Sequence, residues 1–314
     1  MPRLTLQYPI HTLDHRLLFP QKTLLTKETL DAVIDSHRTH SYRTSPLLWY
    51  GSVKQDCLDF LRTPPFVTIF SDQQEINDLL NLMETVRFPI PILQSLDHFK
   101  ANDFYTYVHV LMVFVLSTVL AKDLLPDHQE RIRLSATGPT HDTGKISVPL
   151  HILKKTTPLT KRERSFLEHH TAAGYVLLSY YYKDTQYLAC KVALDHHERR
   201  DRSGYPRGIF LEDPMVEIIA ACDVYDALIM PRPYRSGAYD NRTALEEITE
   251  MAKQNKIGWD VVKALIARNR KSNPHYKLIT ISAEKRGTPP SYNVYGMIEE
   301  ETNPKDRNDM DRED

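Results

Sequence analysis

Glycine is scarce in this chain, at 10 of 314 residues. That disfavours a glycine-rich barrel or a Rossmann-type nucleotide loop and favours helices. Cysteine is rarer still. Cys57, Cys190 and Cys222 are odd in number, far apart and in no CxxC pair. They read as reduced thiols of a cytosolic protein rather than as a disulfide framework. Neither sign of charge dominates, with 40 Lys and Arg against 41 Asp and Glu. No basic excess points to a nucleic-acid polymer, and no acidic excess points to disorder. Long apolar runs are missing as well. The most apolar stretch, Val108 to Ala121, carries His109 and falls short of the roughly 20 residues that span a bilayer. It reads as a buried helix, and no membrane insertion is expected. The first residues show no basic-then-apolar signal pattern, so the expected location is the cytoplasm.

What the chain does have is histidine in one place. Nine of its 14 histidines fall between residues 98 and 197. They gather around His141-Asp142-Thr143-Gly144-Lys145, with His109 upstream and His170, His196-His197 and Asp223 downstream. Imidazole with carboxylate suits Fe, Mn or Zn, whereas carboxylate and carbonyl alone suit Mg or Ca. The pattern points to a metal-dependent hydrolase whose ligands come from several helices.

Around that centre the chain divides by pattern. Residues 1–98 read as a small mixed α/β N-terminal domain plus a linking helix, a regulatory or protein-interaction module. Leu4 and Leu6 alternate as in a half-buried strand. Leu17 to Phe19 and Thr23 to Leu25 suggest two short strands around a turn. Thr26 is a suitable helix N-cap with Glu28 in the first turn. Phe66 to Phe70 is rich in β-formers. Residues 72–87 have helical spacing, closed by Phe88-Pro89-Ile90-Pro91. Residues 99–302 read as a second domain, helical from 99 to about 270, with helices expected at 103–122, 127–137, 141–147, 160–180, 185–198, 214–228, 241–252 and 258–269. Leu278 to Ile281 suggests a late strand. Residues 303–314, charged and almost free of apolar side chains, read as a disordered tail.

Neighbouring helical residues point about 100° apart. His141 and Asp142 therefore face two adjacent ion positions rather than chelating one, with the carboxylate bridging. His196 and His197 share this geometry, so two metals fit better than one. A hydroxide held between two metals is a strong nucleophile at neutral pH, and the ions clamp the oxygens of a phosphoryl group. Lys145, four residues after His141, is placed to meet a phosphate oxygen.

The stretch from His141 to Arg235 resembles the HD-GYP family of metal-dependent phosphohydrolases. The matching pieces are His141-Asp142-x-Gly144-Lys145, Pro149, Leu153-Lys154, Leu159-Thr160, His170, Gly174 and His196-His197-Glu198-Arg199. They continue with Gly204-Tyr205-Pro206-Arg207-Gly208, Asp223 to Leu228 and Arg232-Pro233-Tyr234-Arg235. Upstream, Tyr105 to His109 also fits. The resemblance implies a mainly α, all-helical bundle that hydrolyses cyclic di-GMP to pGpG, GMP or both. It implies one metal on His109, His141, Asp142 and Asp223, and a second on His170, His196 and His197, with Asp142 bridging. Iron or manganese is the implied metal. Asp142 and Lys145 would be catalytic, and Lys145, Tyr205, Arg232 and Arg235 would hold the dinucleotide. Members with a third metal carry glutamate where this chain has Tyr105, so two metals are expected. Arg202 stands where glycine is usual, and Arg200 where tryptophan is usual. Gly138-Pro139 should kink or break the helix just before His141. Two alternatives stay open: a non-catalytic cyclic-dinucleotide or protein-binding module, and a hydrolase of another cyclic dinucleotide such as cyclic GMP-AMP.

Overall fold

The computed structural model describes residues 4–37, 39, 41–232, 237–282, 284–291 and 297–299. Helices dominate it, as the spacing of apolar residues requires. The expected tail 303–314 and Arg235 lie outside the described residues.

The N-terminal part is mixed, and its strands are very short. Leu4–Thr5 pairs antiparallel with Leu24–Leu25, and Ile10–His11 with Leu17–Phe19. Thr26 caps the helix Lys27–Asp35, its side chain accepting from Thr29 N while the Thr29 hydroxyl receives the Thr26 N–H. Other helix starts use the same device. Asp72, Asp103, Asp127, Thr160, Asp213 and Asp240 each accept a backbone N–H of the first turn. These groups satisfy donors that have no partner within the helix.

Several local expectations are corrected. Phe66–Ile69 is a short helix rather than a strand, because Phe66, Ile69 and Phe70 are buried at a helical spacing. Thr44–Pro46 forms a strand that pairs antiparallel with Arg87–Pro89, so Arg87 lies outside the linking helix. Pro91 does not terminate structure but sits in the first turn of the helix Ile90–Asn102, where its missing N–H costs no bond. Residue 98 therefore lies inside a helix. Leu278 to Ile281 forms no strand, and Tyr276–Leu278 is a 3-10 turn.

The centre of the bundle is the helix Phe104–Leu124, buried continuously from Thr106 to Ala121. At 21 residues it is longer than its most apolar stretch and is long and apolar enough to cross a bilayer. Length therefore does not separate the two readings, but 89% of its most apolar window is buried inside the protein. Around it pack Pro214–Ile229, Ile90–Asn102, His128–Ser135 and Trp259–Arg268. One apolar core runs from Leu6 to Leu265.

Two further helices complete the surroundings of the histidines, His170–Tyr182 and Leu188–Asp195. The expected helix at 160–180 is split at His169, which ends Lys161–Glu168 and precedes His170. The expected helix at 141–147 is also corrected. Gly138–Thr140 and Thr143–Ser147 are 3-10 turns, with His141-Asp142 between them.

Candidate metal centre

The break at Gly138-Pro139 positions His141 instead of displacing it. A Cβ on Gly138 would come within 2.6 Å of Phe114 Cα, so glycine lets the turn lie against the central helix. The Gly138 carbonyl then accepts from His141 Nδ1 at 2.6 Å. Gly144 works the same way on the other side. A Cβ there would overlap the His170 carbonyl, and its absence lets the turn press onto the helix His170–Tyr182.

All seven expected ligands come together. His109 lies on the central helix, His141 and Asp142 in the turn, and His170 at the start of its helix. His196 and His197 follow Leu188–Asp195, and Asp223 lies on Pro214–Ile229. Asp142 stands in the middle. Its Oδ2 is 3.5 Å from His109 Nε2 and 3.4 Å from His141 Nε2. Its Oδ1 is 3.3 Å from His170 Nε2 and 3.8 Å from His196 Nε2. Asp223 is two-sided as well, with Oδ1 3.0 Å from His109 Nε2 and Oδ2 3.8 Å from His197 Nδ1. Potential donor atoms fall into overlapping sets within 4.8 Å: His109, His141 and Asp223; His170, His196 and His197; His141, Asp142 and His196.

The imidazole tautomers show what this arrangement suits. Nδ1 of His141, His170 and His196 each faces a backbone carbonyl, of Gly138 at 2.6 Å, Leu167 at 2.6 Å and Val192 at 3.0 Å. His109 Nδ1 faces Asp226 Oδ2 at 2.5 Å. Nδ1 is therefore the protonated nitrogen, and each Nε2 turns a lone pair inward. His170 Nε2 and His196 Nε2 lie 3.4 Å apart with no proton to share. Buried His109 Nε2, His141 Nε2 and Asp142 Oδ1 make no hydrogen bond. Such a convergence of lone pairs is costly alone and favourable around cations.

The proton affinities of His170, His196, His197, Asp142 and Asp223 agree with ligation. Burial drives His170 down to about 4 and His196 to about 3, and holds His197 well below the ordinary imidazole range. Burial alone would raise Asp142 and Asp223. Lys145 and His141 outweigh it at Asp142, as do His109 and His197 at Asp223, and both carboxyls stay well below their usual range. Neutral imidazoles beside ionised carboxylates are the ligand forms of these side chains.

A cavity of about 260 Å³ opens onto this cluster through His170, His197 and Asp223. Lys145, Tyr205 and Arg232 line it as expected. The Tyr205 ring stacks on His197 at 4.5 Å, and Lys145 Nζ sits 2.5 Å from Asp142 Oδ2. Sequence reasoning missed other contributors. Lys155, Arg164 and Arg199 also line the cavity, Lys155 paired with Glu163 and Arg164 with Glu168. Glu198 is fully buried and accepts from Arg207 N at 2.8 Å and Ile209 N at 3.0 Å, closing the loop that presents Tyr205. Asp226 orients His109. Its place three residues after Asp223 on one helix was the available signal.

The family model described as HD domain matches residues 92–261. The chain belongs to the HD domain family, in its HD-GYP branch. The cyclic di-GMP phosphodiesterase PA4108 of Pseudomonas aeruginosa is 36% identical over 59% of this chain and 44% of its own length. A cyclic di-GMP phosphodiesterase of Thermotoga maritima is 34% identical over 47% of this chain and 40% of its own. The 3'3'-cGAMP-specific phosphodiesterase 1 of Vibrio cholerae is 36% identical over 43% of this chain and 31% of its own. The chain thus spans less than half the length of these HD-GYP relatives. HD-domain phosphohydrolases are metal-dependent, and the clustered histidines and aspartates fit that requirement.

Proposed function

We propose that this chain is a two-metal phosphodiesterase that hydrolyses cyclic di-GMP to pGpG, GMP or both. One observation carries the reading. Imidazole lone pairs converge on both oxygens of a single buried carboxylate, Asp142. His109, His141, Asp142 and Asp223 would hold one divalent ion, and His170, His196 and His197 the other, with Asp142 shared. The imidazole-rich donor set favours iron or manganese over magnesium. When bound, such ions activate water and neutralise phosphoryl charge.

The chain's own side chains do the rest. Lys145, on the cavity side of Asp142, meets a non-bridging phosphoryl oxygen and stabilises its developing charge. Tyr205 offers a ring face for a base, and Arg232 a planar donor edge for phosphate or guanine. Arg235 is assigned the same role from the sequence alone. The similarity to a relative named for cyclic GMP-AMP supports that dinucleotide as a second substrate.

The test pairs elemental analysis of anaerobically purified protein with cyclic di-GMP turnover on the same sample. About two Fe or Mn per chain with product formation is the expected result. Asp142→Ala should abolish turnover. Tight dinucleotide binding without product, even after reconstitution with iron or manganese, would replace this reading with a binding module.

A further inference from the structure

Two helices that supply ligands to the metal centre also meet at the rim of the cavity. The helix Phe104–Leu124 carries Tyr105 one turn before His109. The helix Pro214–Ile229 carries Asp223 and ends at Met230, whose extended backbone leads through Pro231 to Arg232. Arg232 is therefore not held by helical structure of its own. Its Cζ lies 3.8 Å from the centre of the Tyr105 ring, and both residues line the cavity.

A guanidinium stacked on an aromatic ring uses its face for the contact. Its N–H donors lie in the plane, so the edge is the part that meets oxygen. A long side chain that is already docked also loses less freedom when a ligand arrives. We propose that Tyr105 is a positioning residue that presets Arg232 for the phosphodiester oxygens of the cyclic dinucleotide. The inference rests on the hydrolase reading and refines its substrate site. The ring does this work, not the hydroxyl. Tyr105 belongs to the rigid first turn of the central helix, so Arg232 is registered against the same element that carries His109.

A double-mutant cycle tests the coupling. KM and kcat for cyclic di-GMP would be measured on metal-loaded wild type, Tyr105→Phe, Tyr105→Leu, Arg232→Ala and the Tyr105→Leu/Arg232→Ala pair. Metal per chain would be measured on each sample. Tyr105→Phe should stay within about twofold of wild type. Tyr105→Leu should raise KM about 5–10-fold with kcat within about twofold, the size of a cation–π contact. In the Arg232→Ala background, Tyr105→Leu should add less than about twofold. Calorimetric affinity of metal-free protein for cyclic di-GMP should follow the same pattern.

Fully additive effects, or an equal loss in Tyr105→Phe and Tyr105→Leu, would overturn the proposal. So would loss of metal in Tyr105→Leu, which would mark the ring as a support of the metal centre. Absence of wild-type turnover after reconstitution would instead defeat the hydrolase reading, and the proposal with it.

Discussion

Lys145 Nζ lies 2.5 Å from Asp142 Oδ2, the same oxygen that faces His109 and His141. The ammonium thus borders the shared carboxylate and the cavity at once. Lys145→Met should lower kcat about 10²–10³-fold, the usual loss on removing one donor to a developing oxyanion. Metal content should stay near wild type, because the histidines and aspartates remain. Elemental analysis alongside turnover checks both parts. A parallel fall in bound metal would place the lysine in support of Asp142 alone.

Asp226 is buried and does not line the cavity beside the cluster, yet it sets the tautomer of His109. Asp226→Asn keeps the shape and removes the charge. Partners of this kind are worth about 10–100-fold in metal affinity or activity. Competition against a chelator should show a loss of that size, and an unchanged affinity would remove Asp226 from the metal centre.

The metal-free protein should lose stability on mild acidification. Unfolded imidazoles take a proton near 6.5, whereas folded His169 and His170 wait until about 4 and His196 until about 3. Between those limits the unfolded state binds more protons, so falling pH favours it. His197 acts in the same direction. His109, whose affinity is raised by Asp223 and Asp226 against burial, acts in the opposite one. His98, lowered by burial, acts with the four, whereas Asp195 and Glu198, raised by burial, act with His109; the deep depression of the four buried imidazoles gives the net decline. Thermal midpoints of chelator-treated protein at pH 7 and pH 5 measure it, and equal midpoints would contradict it.

Arg202 has φ +65°, a left-handed conformation that costs a non-glycine residue about 1 kcal/mol. Its N–H bonds Arg199 O at 3.0 Å, so the turn is set by the backbone rather than by the side chain. Arg202→Gly should therefore stabilise the protein, by up to about 0.5 kcal/mol after glycine's own entropic cost. Denaturant midpoints would show the gain. A loss would mean that the arginine side chain makes a compensating contact.

The cluster of candidate ligands was legible because each member carries its own chemistry and sits in a recognisable order of motifs. Helix positions were legible where apolar spacing was long, as in Phe104–Leu124 and Pro214–Ile229. Short segments were not. Phe66 to Ile69 has β-forming side chains, but burial of Phe66 and Ile69 decided its conformation. Pro91 was ambiguous in sequence, since proline can follow one helix or open the next. The turn at His141 was read as α-helix because nothing in the sequence reports how closely Gly144 approaches the His170 carbonyl. Asp226 and Glu198 were visible as letters, but their partners are set by tertiary contact.

The orienting groups of the four inward-facing histidines are unequal in kind. His141, His170 and His196 are aimed by main-chain carbonyls, which every residue type supplies. His109 is aimed by a side chain, which a single codon change can remove. The aim of three of these rings is therefore written into the path of the backbone, while that of His109 carries a dial. Under the two-metal proposal, drift at residue 226 would adjust the donor position of His109 first.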